Sequence, residues 1–194
     1  MDTMTTAPIA SAPAAPVRRR QHRGRITAAL ARLHDAVAAR PGFGHHTARS
    51  TVSLGDGLKC VSVEQSWVIA SDLPPALGGE RSAPTPSQLV QAALGACLAM
   101  GYQLRAAECG IELTSVRVII ESDAELRGML RRDTGVPPGF TTIRYHVEIE
   151  SPAAPDSIEA LVEAADHLSP VLADLTRPLT VERTVSIVPP QAER

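Results

Sequence analysis

The chain has 194 residues, 44% of them hydrophobic and 21% charged, with a formal net charge of −2. That is room for one domain with a tail, and the apolar content excludes a wholly disordered chain. No run reaches the ~18 apolar residues of a membrane span, aromatics at 3% leave almost no stacking platform for single-stranded nucleic acid, and three cysteines form neither a disulfide framework nor a zinc spacing, which suits a reducing, cytoplasmic setting.

Residues 1–24 read as a disordered arm of Pro, Ala, Thr and Arg. Five arginines fall within Arg18–Arg25, and up to His34 the net charge is +5 against −7 for the remainder. A secretion signal would place its charge before an apolar core, the reverse of the order here. The chain carries eighteen Arg, one Lys and no Asn, a skew spread over its whole length, so the arm reads as a solvated tail and nucleic acid is not an expected partner. Residues 25–42 hold an extra helix: Ile26, Leu30, Leu33 and Val37 recur at helical spacing until Pro41-Gly42.

The main domain then spans 43–190. Thr47–Leu54, Leu58–Glu64 and Trp67–Asp72 predict a three-strand meander turning at Gly55-Asp56-Gly57, followed by an irregular Pro/Gly loop over Leu73–Thr85. Thr85-Pro86 predicts the cap and first position of the longest helix, which runs to Cys109 and stops at Gly110. Its residues are small and apolar nearly all round, so it is buried on most sides by a sheet, other helices or a second subunit. Ile111–Ser122 and Phe140–Glu150 predict strands around a charged loop, Asp156–Leu168 an amphipathic helix, Ser169-Pro170 the start of a short helix to Leu175, and Leu179–Val188 a final alternating strand. The order is α+β with a largely antiparallel sheet.

Nucleotide and hydrolase signatures are missing, and no cofactor or metal is expected. His45 and His46 are adjacent on an extended segment and point to opposite faces, so they do not chelate together. Cys97 stands out as a thiol inside the long helix, too far from its start for the helix dipole to act on it. Cys109 is twelve residues further on, ~18 Å along the axis, beyond disulfide reach. Geometry leaves Cys60, on a strand, open as a partner.

The stretches Asp72-Leu73-Pro74-Pro75-Ala76-Leu77-Gly78-Gly79, Pro84-Thr85-Pro86-Ser87-Gln88-Leu89 and Ala92-Ala93-Leu94-Gly95-Ala96-Cys97-Leu98, with Gly110-Ile111, Pro138-Gly139-Phe140 and Ser169-Pro170-Val171, resemble the OsmC/Ohr family over His45–Val188. The resemblance implies an intertwined homodimer with a strongly curved sheet around paired central helices. It also implies a thiol-dependent hydroperoxide reductase active in oxidative stress. In that family one cysteine of the central helix attacks the peroxide, a second at a Cys-Pro corner resolves it, and an Arg–Glu pair holds the thiolate. Cys97 matches the attacking cysteine. Ser169 occupies the resolving position, where it reads as a helix N-cap or as a hydrogen-bond partner of the thiol. Ser87 replaces the glutamate, and Arg49, just before the first hairpin, is the nearest substitute for the arginine, though it reads first as a solvated strand residue. The expected activity is a one-cysteine reductase taking an organic hydroperoxide and an external thiol reductant. The alternative is a non-catalytic protein of the same fold that binds an apolar small molecule at the dimer interface.

Overall fold

The computed structural model describes residues 16–130 and 135–189. The elements run α1 (Pro16–Ala39), β1 (Thr51–Leu54), β2 (Cys60–Glu64), β3 (Trp67–Ser71), α2 (Pro86–Cys109), β4 (Ser115–Ala124), α3 (Leu126–Leu130), β5 (Phe140–Glu150), α4 (Pro155–Asp166) and α5 (Pro170–Thr176). α2 organises the rest, and its ends are set locally. The Thr85 side chain accepts from the Gln88 N–H while the Gln88 side chain reaches back to the Thr85 N–H, a reciprocal capping box. Gly110, at φ 70°, takes the left-handed conformation that ends the helix.

Leu94, Leu98, Tyr102 and Ala106 follow one another at i, i+4 along α2 and are buried, which places them on one stripe of the helix. Against that stripe pack Leu113, Leu161 and Ala165, with the inward residues of β4 and β5 such as Ile120, Ile143 and Val147 at the margin. β4 and β5 form a long antiparallel pair from Ser115↔Glu150 to Ala124↔Phe140, with an irregularity at Asp123/Ala124. Burial of three large side chains, Leu94, Leu98 and Tyr102, on one stripe makes each truncation costly, about 2–5 kcal/mol for a Leu→Ala change.

The strands divide into two antiparallel sheets, β1–β2–β3 and β4–β5. The second packs on α2. The first leaves its apolar residues at the surface: Trp67 is 74% exposed and Val52 62%. The loop that follows it is held by Asp72, whose buried carboxylate accepts the backbone N–H groups of Leu73 (2.7 Å), Glu80 (3.2 Å) and Ser82 (2.9 Å) and the Ser82 hydroxyl (2.8 Å). Gly79 lies so close to the opposite side of this loop that a Cβ there would stand 1.9 Å from the Leu73 carbonyl oxygen.

Three expectations change. The helix expected from residue 25 begins at Pro16, so the arginine run over residues 18–25 is helical; arginine is a good helix former and proline suits the first helical position. Residues 1–15 of the expected arm lie outside the described residues. The loop expected over residues 123–139 contains the short α3. The strand expected over Leu179–Val188 pairs with no other strand among the described residues, and Leu179, Val181, Val185 and Ile187 are exposed. An alternating pattern makes a segment fit for a sheet, but a ladder also needs a free neighbouring edge, and among the described residues no strand lies paired beside it.

The donors around Asp72, the Ser82 N–H foremost, hold its carboxyl below the ordinary value. A depressed folded-state value adds stability that is complete above the ordinary aspartate range (~3.9) and is lost as pH falls through the folded value. Asp72→Asn is therefore expected to lower the melting temperature at neutral pH and to flatten its decline below about pH 4. Melting curves of both forms across that range check it; parallel acid limbs would contradict it.

Candidate active site

Cys97 sits three turns into α2, between the buried Leu94 and Leu98, and its own side chain is half-buried. Ser169 is the joint between α4 and α5. Its N–H donates to the Asp166 carbonyl at 3.1 Å, its Oγ accepts from the Leu172 N–H at 3.4 Å, and it is 3% exposed. Packing of these helices on α2 leaves Cys97 Sγ and Ser169 Oγ 3.3 Å apart. The two readings of Ser169 are therefore compatible: the oxygen caps α5 with a lone pair, and its hydrogen is available to a thiolate.

A second polar cluster is centred on Asp166, three residues before Ser169. Asp166, the last residue of α4, accepts the hydroxyl of Tyr102 from α2 at 2.8 Å and that of Tyr145 from β5 at 2.7 Å. These are the only two tyrosines in the chain. Burial, and then the hydrogen bond to Asp166, push Tyr102 far above the usual phenol value and Tyr145 up to about 12, so both stay protonated donors over the physiological range. Hydrogen bonds to a charged acceptor are worth about 1.5–3 kcal/mol each.

A cavity of about 980 Å³ opens beside these groups, lined among others by Leu94, Phe140, Ile143, Tyr145, Leu172 and Arg177. Leu94 and Leu172 are each three residues from one member of the Cys97–Ser169 pair, though Cys97 itself is not in the lining.

The structure brings together Cys97 and Ser169 of the expected site residues. Arg49 lies on the exposed segment leading into β1 and makes no hydrogen bond or ion pair with either of them among the described residues. Ser87 is exposed in the first turn of α2. Cys60 is half-exposed on β2, opposite Leu54 and Ser71, and Cys109 is exposed at the end of α2. Asp166 and its tyrosines were not singled out by sequence reasoning. The available signal was a tyrosine at an inward position of both α2 and β5, because a buried phenol needs a hydrogen-bond partner.

This fold agrees with the comparisons. The family model described as OsmC-like protein matches residues 78–184, and the chain belongs to that family. Among solved structures it is similar to an OsmC-like protein from Mycoplasma pneumoniae, with 18% identity and a TM-score of 0.57 over 67% of this chain and 87% of that one. It is also similar to an organic hydroperoxide resistance protein OsmC from Legionella pneumophila, with 22% identity and a TM-score of 0.53 over 68% and 90%. A third is an organic hydroperoxide resistance protein from Elizabethkingia anophelis, with 16% identity and a TM-score of 0.54 over 69% and 91%. At these identities the likeness is one of fold. No curated protein matches the chain.

Because the Sγ–Oγ contact is already short, Ser169→Cys is expected to close a disulfide with Cys97 on mild oxidation. Peptide mapping would show the 97–169 crosslink, and two thiols that both remain alkylatable after oxidation would contradict the geometry. Ser169→Ala is expected to cost about 1 kcal/mol through the lost cap, measurable by denaturant titration.

Proposed function

We propose that this protein is a one-cysteine, thiol-dependent reductase of organic hydroperoxides that serves in the oxidative stress response. The observation that carries the reading is the 3.3 Å contact between Cys97 and Ser169: the two positions that correspond to attacking and resolving cysteines in the family are neighbours in this fold.

The chemistry follows from that pair. The Cys97 thiolate attacks the terminal peroxide oxygen; an S–O bond forms, the O–O bond breaks, and its electron pair leaves on the alkoxide, which takes up a proton to become an alcohol. Cys97 is oxidised to a sulfenic acid. Ser169 stabilises the thiolate by donating its hydroxyl hydrogen, but it offers no sulfur to form a disulfide. An external thiol therefore condenses with the sulfenic acid, releasing water, and a second thiol frees Cys97 from the mixed disulfide. The apolar part of the cavity suits the organic portion of the substrate.

The reading includes a homodimer. Large apolar residues stand at the surface on the β1–β3 sheet, on α2 (Met100 at 61%) and along the C-terminal segment (Ile187 at 94%), more than a soluble monomer usually leaves open. In the dimer a partner's surface covers them. Trp67, the single tryptophan, then reports assembly: its emission is expected to shift to longer wavelength on dilution into the monomer range, and emission independent of concentration, with a monomer mass in sedimentation, would contradict the dimer.

The decisive assay for the reaction is steady-state consumption of an organic hydroperoxide with a dithiol reductant. Cys97→Ser is expected to lose all turnover above the uncatalysed rate. Equal rates for the two proteins would overturn the reading. An apolar molecule retained in the cavity in native mass spectrometry, together with equal rates, would identify the protein as a binding protein instead.

A further inference from the structure

We propose that Asp166, Tyr102 and Tyr145 form a positioning bracket that sets the Ser169 hydroxyl against the Cys97 sulfur. The inference deepens the peroxidase reading and rests on it for the role of Ser169.

Cys97 and Tyr102 belong to the same rigid helix, α2. Tyr102 donates to one carboxylate oxygen of Asp166 at 2.8 Å, and Tyr145, on β5, donates to the other at 2.7 Å. Both oxygens are thus committed to donors from two different elements, which fixes the last residue of α4 relative to the helix and to the sheet. Asp166 then passes that position on through its backbone: its carbonyl accepts the Ser169 N–H at 3.1 Å. Ser169 begins α5 with its own carbonyl accepting from Ala173 at 3.0 Å and its Oγ accepting from Leu172. The chain of contacts runs α2, Tyr102, Asp166, Ser169 and back to α2 at Cys97, a closed loop whose final link is the 3.3 Å Sγ–Oγ contact.

A closed loop of this kind makes a geometric demand that a lone cap would not. A hydrogen bond to sulfur weakens steeply when it is misaligned, and nothing within Ser169 itself fixes the distance to a residue 72 positions away. Packing of α4 alone would leave its C-terminal turn free to slide or fray, since helix ends carry unsatisfied groups. The two phenols remove that freedom. They also explain why the chain places its only two tyrosines at inward positions where leucine or phenylalanine would otherwise fill the core.

The test is the pH profile of iodoacetamide labelling at the Cys97 peptide, resolved by mass spectrometry in the full-length protein. Ser169→Ala is expected to move the profile to higher pH, because the thiolate loses its donor. Asp166→Asn is expected to move it in the same direction by most of that extent, and Asp166→Asn combined with Ser169→Ala no further than Ser169→Ala alone. Tyr102→Phe and Tyr145→Phe, which each remove a single hydroxyl, are expected to give smaller shifts in the same direction that vanish in the Ser169→Ala background; they carry the test if the Asp166 variant does not fold. A shift in Ser169→Ala with none in the Asp166 and tyrosine variants, or effects that add, would overturn the bracket and leave the peroxidase reading intact. An unmoved Ser169→Ala profile would overturn the role of Ser169 and the bracket with it.

Discussion

A sulfur in the middle of one helix and a hydroxyl at the start of another meet at 3.3 Å, although 72 residues of chain separate them. Everything else in the described structure bears on whether that distance holds. α2 must be straight and immobile to present Cys97, and its capping box and glycine stop define both ends. The inward faces of β4, β5 and α4 must close on Leu94, Leu98 and Tyr102, because a void near the sulfur would let Ser169 move away. Hydrophobic packing brings the elements within range; the polar links from Asp166 select one arrangement among those that packing allows.

Where the family resemblance implies a resolving cysteine this joint carries Ser169, a difference that under the proposed function changes what the site can do without changing how it is built. Serine caps the short helix α5 better than a thiol would, and its hydroxyl is a stronger donor to a sulfur anion than a second thiol. What it removes is the internal route to a disulfide. Under the proposed function, a site of this composition divides the redox cycle between the protein, which would take the oxygen from the peroxide, and a separate reductant, which would have to reach a half-buried sulfur. The neighbouring cavity, apolar at Leu94, Phe140 and Leu172 and lined also by Arg177, is the space from which such partners would approach under that reading.

Much of this was legible in the chain, and the reason is that its clearest signals are local. Thr85-Pro86 and Gly110 state where α2 starts and stops, Ser169-Pro170 marks the α5 corner, and the alternation in Phe140–Glu150 marks β5 to the residue. What escaped depends on contacts across the chain. Asp166 reads as an ordinary polar residue at the end of an amphipathic helix until Tyr102 and Tyr145 arrive from two other elements. Asp72 reads as the close of a strand until the loop folds back on its carboxylate. Leu179–Val188 carries the alternation of a strand, yet pairing depends on an edge that the sequence pattern cannot locate. The arginine run reads as a solvated tail because the excess of arginine over lysine extends along the whole chain, whereas helix propensity operates regardless of charge sign.

Under the proposed function Cys97 is oxidised because of its surroundings and not merely because it is a thiol. Cys109 is exposed and Cys97 only half-exposed, so accessibility alone would favour Cys109. Treatment of the reduced protein with one equivalent of an organic hydroperoxide, followed by peptide mass spectrometry, separates the two causes. The account predicts a single added oxygen on the peptide bearing Cys97, removed again by a small thiol, before any change at Cys109 or Cys60. Oxidation that begins at Cys109 while Cys97 stays unmodified would contradict it.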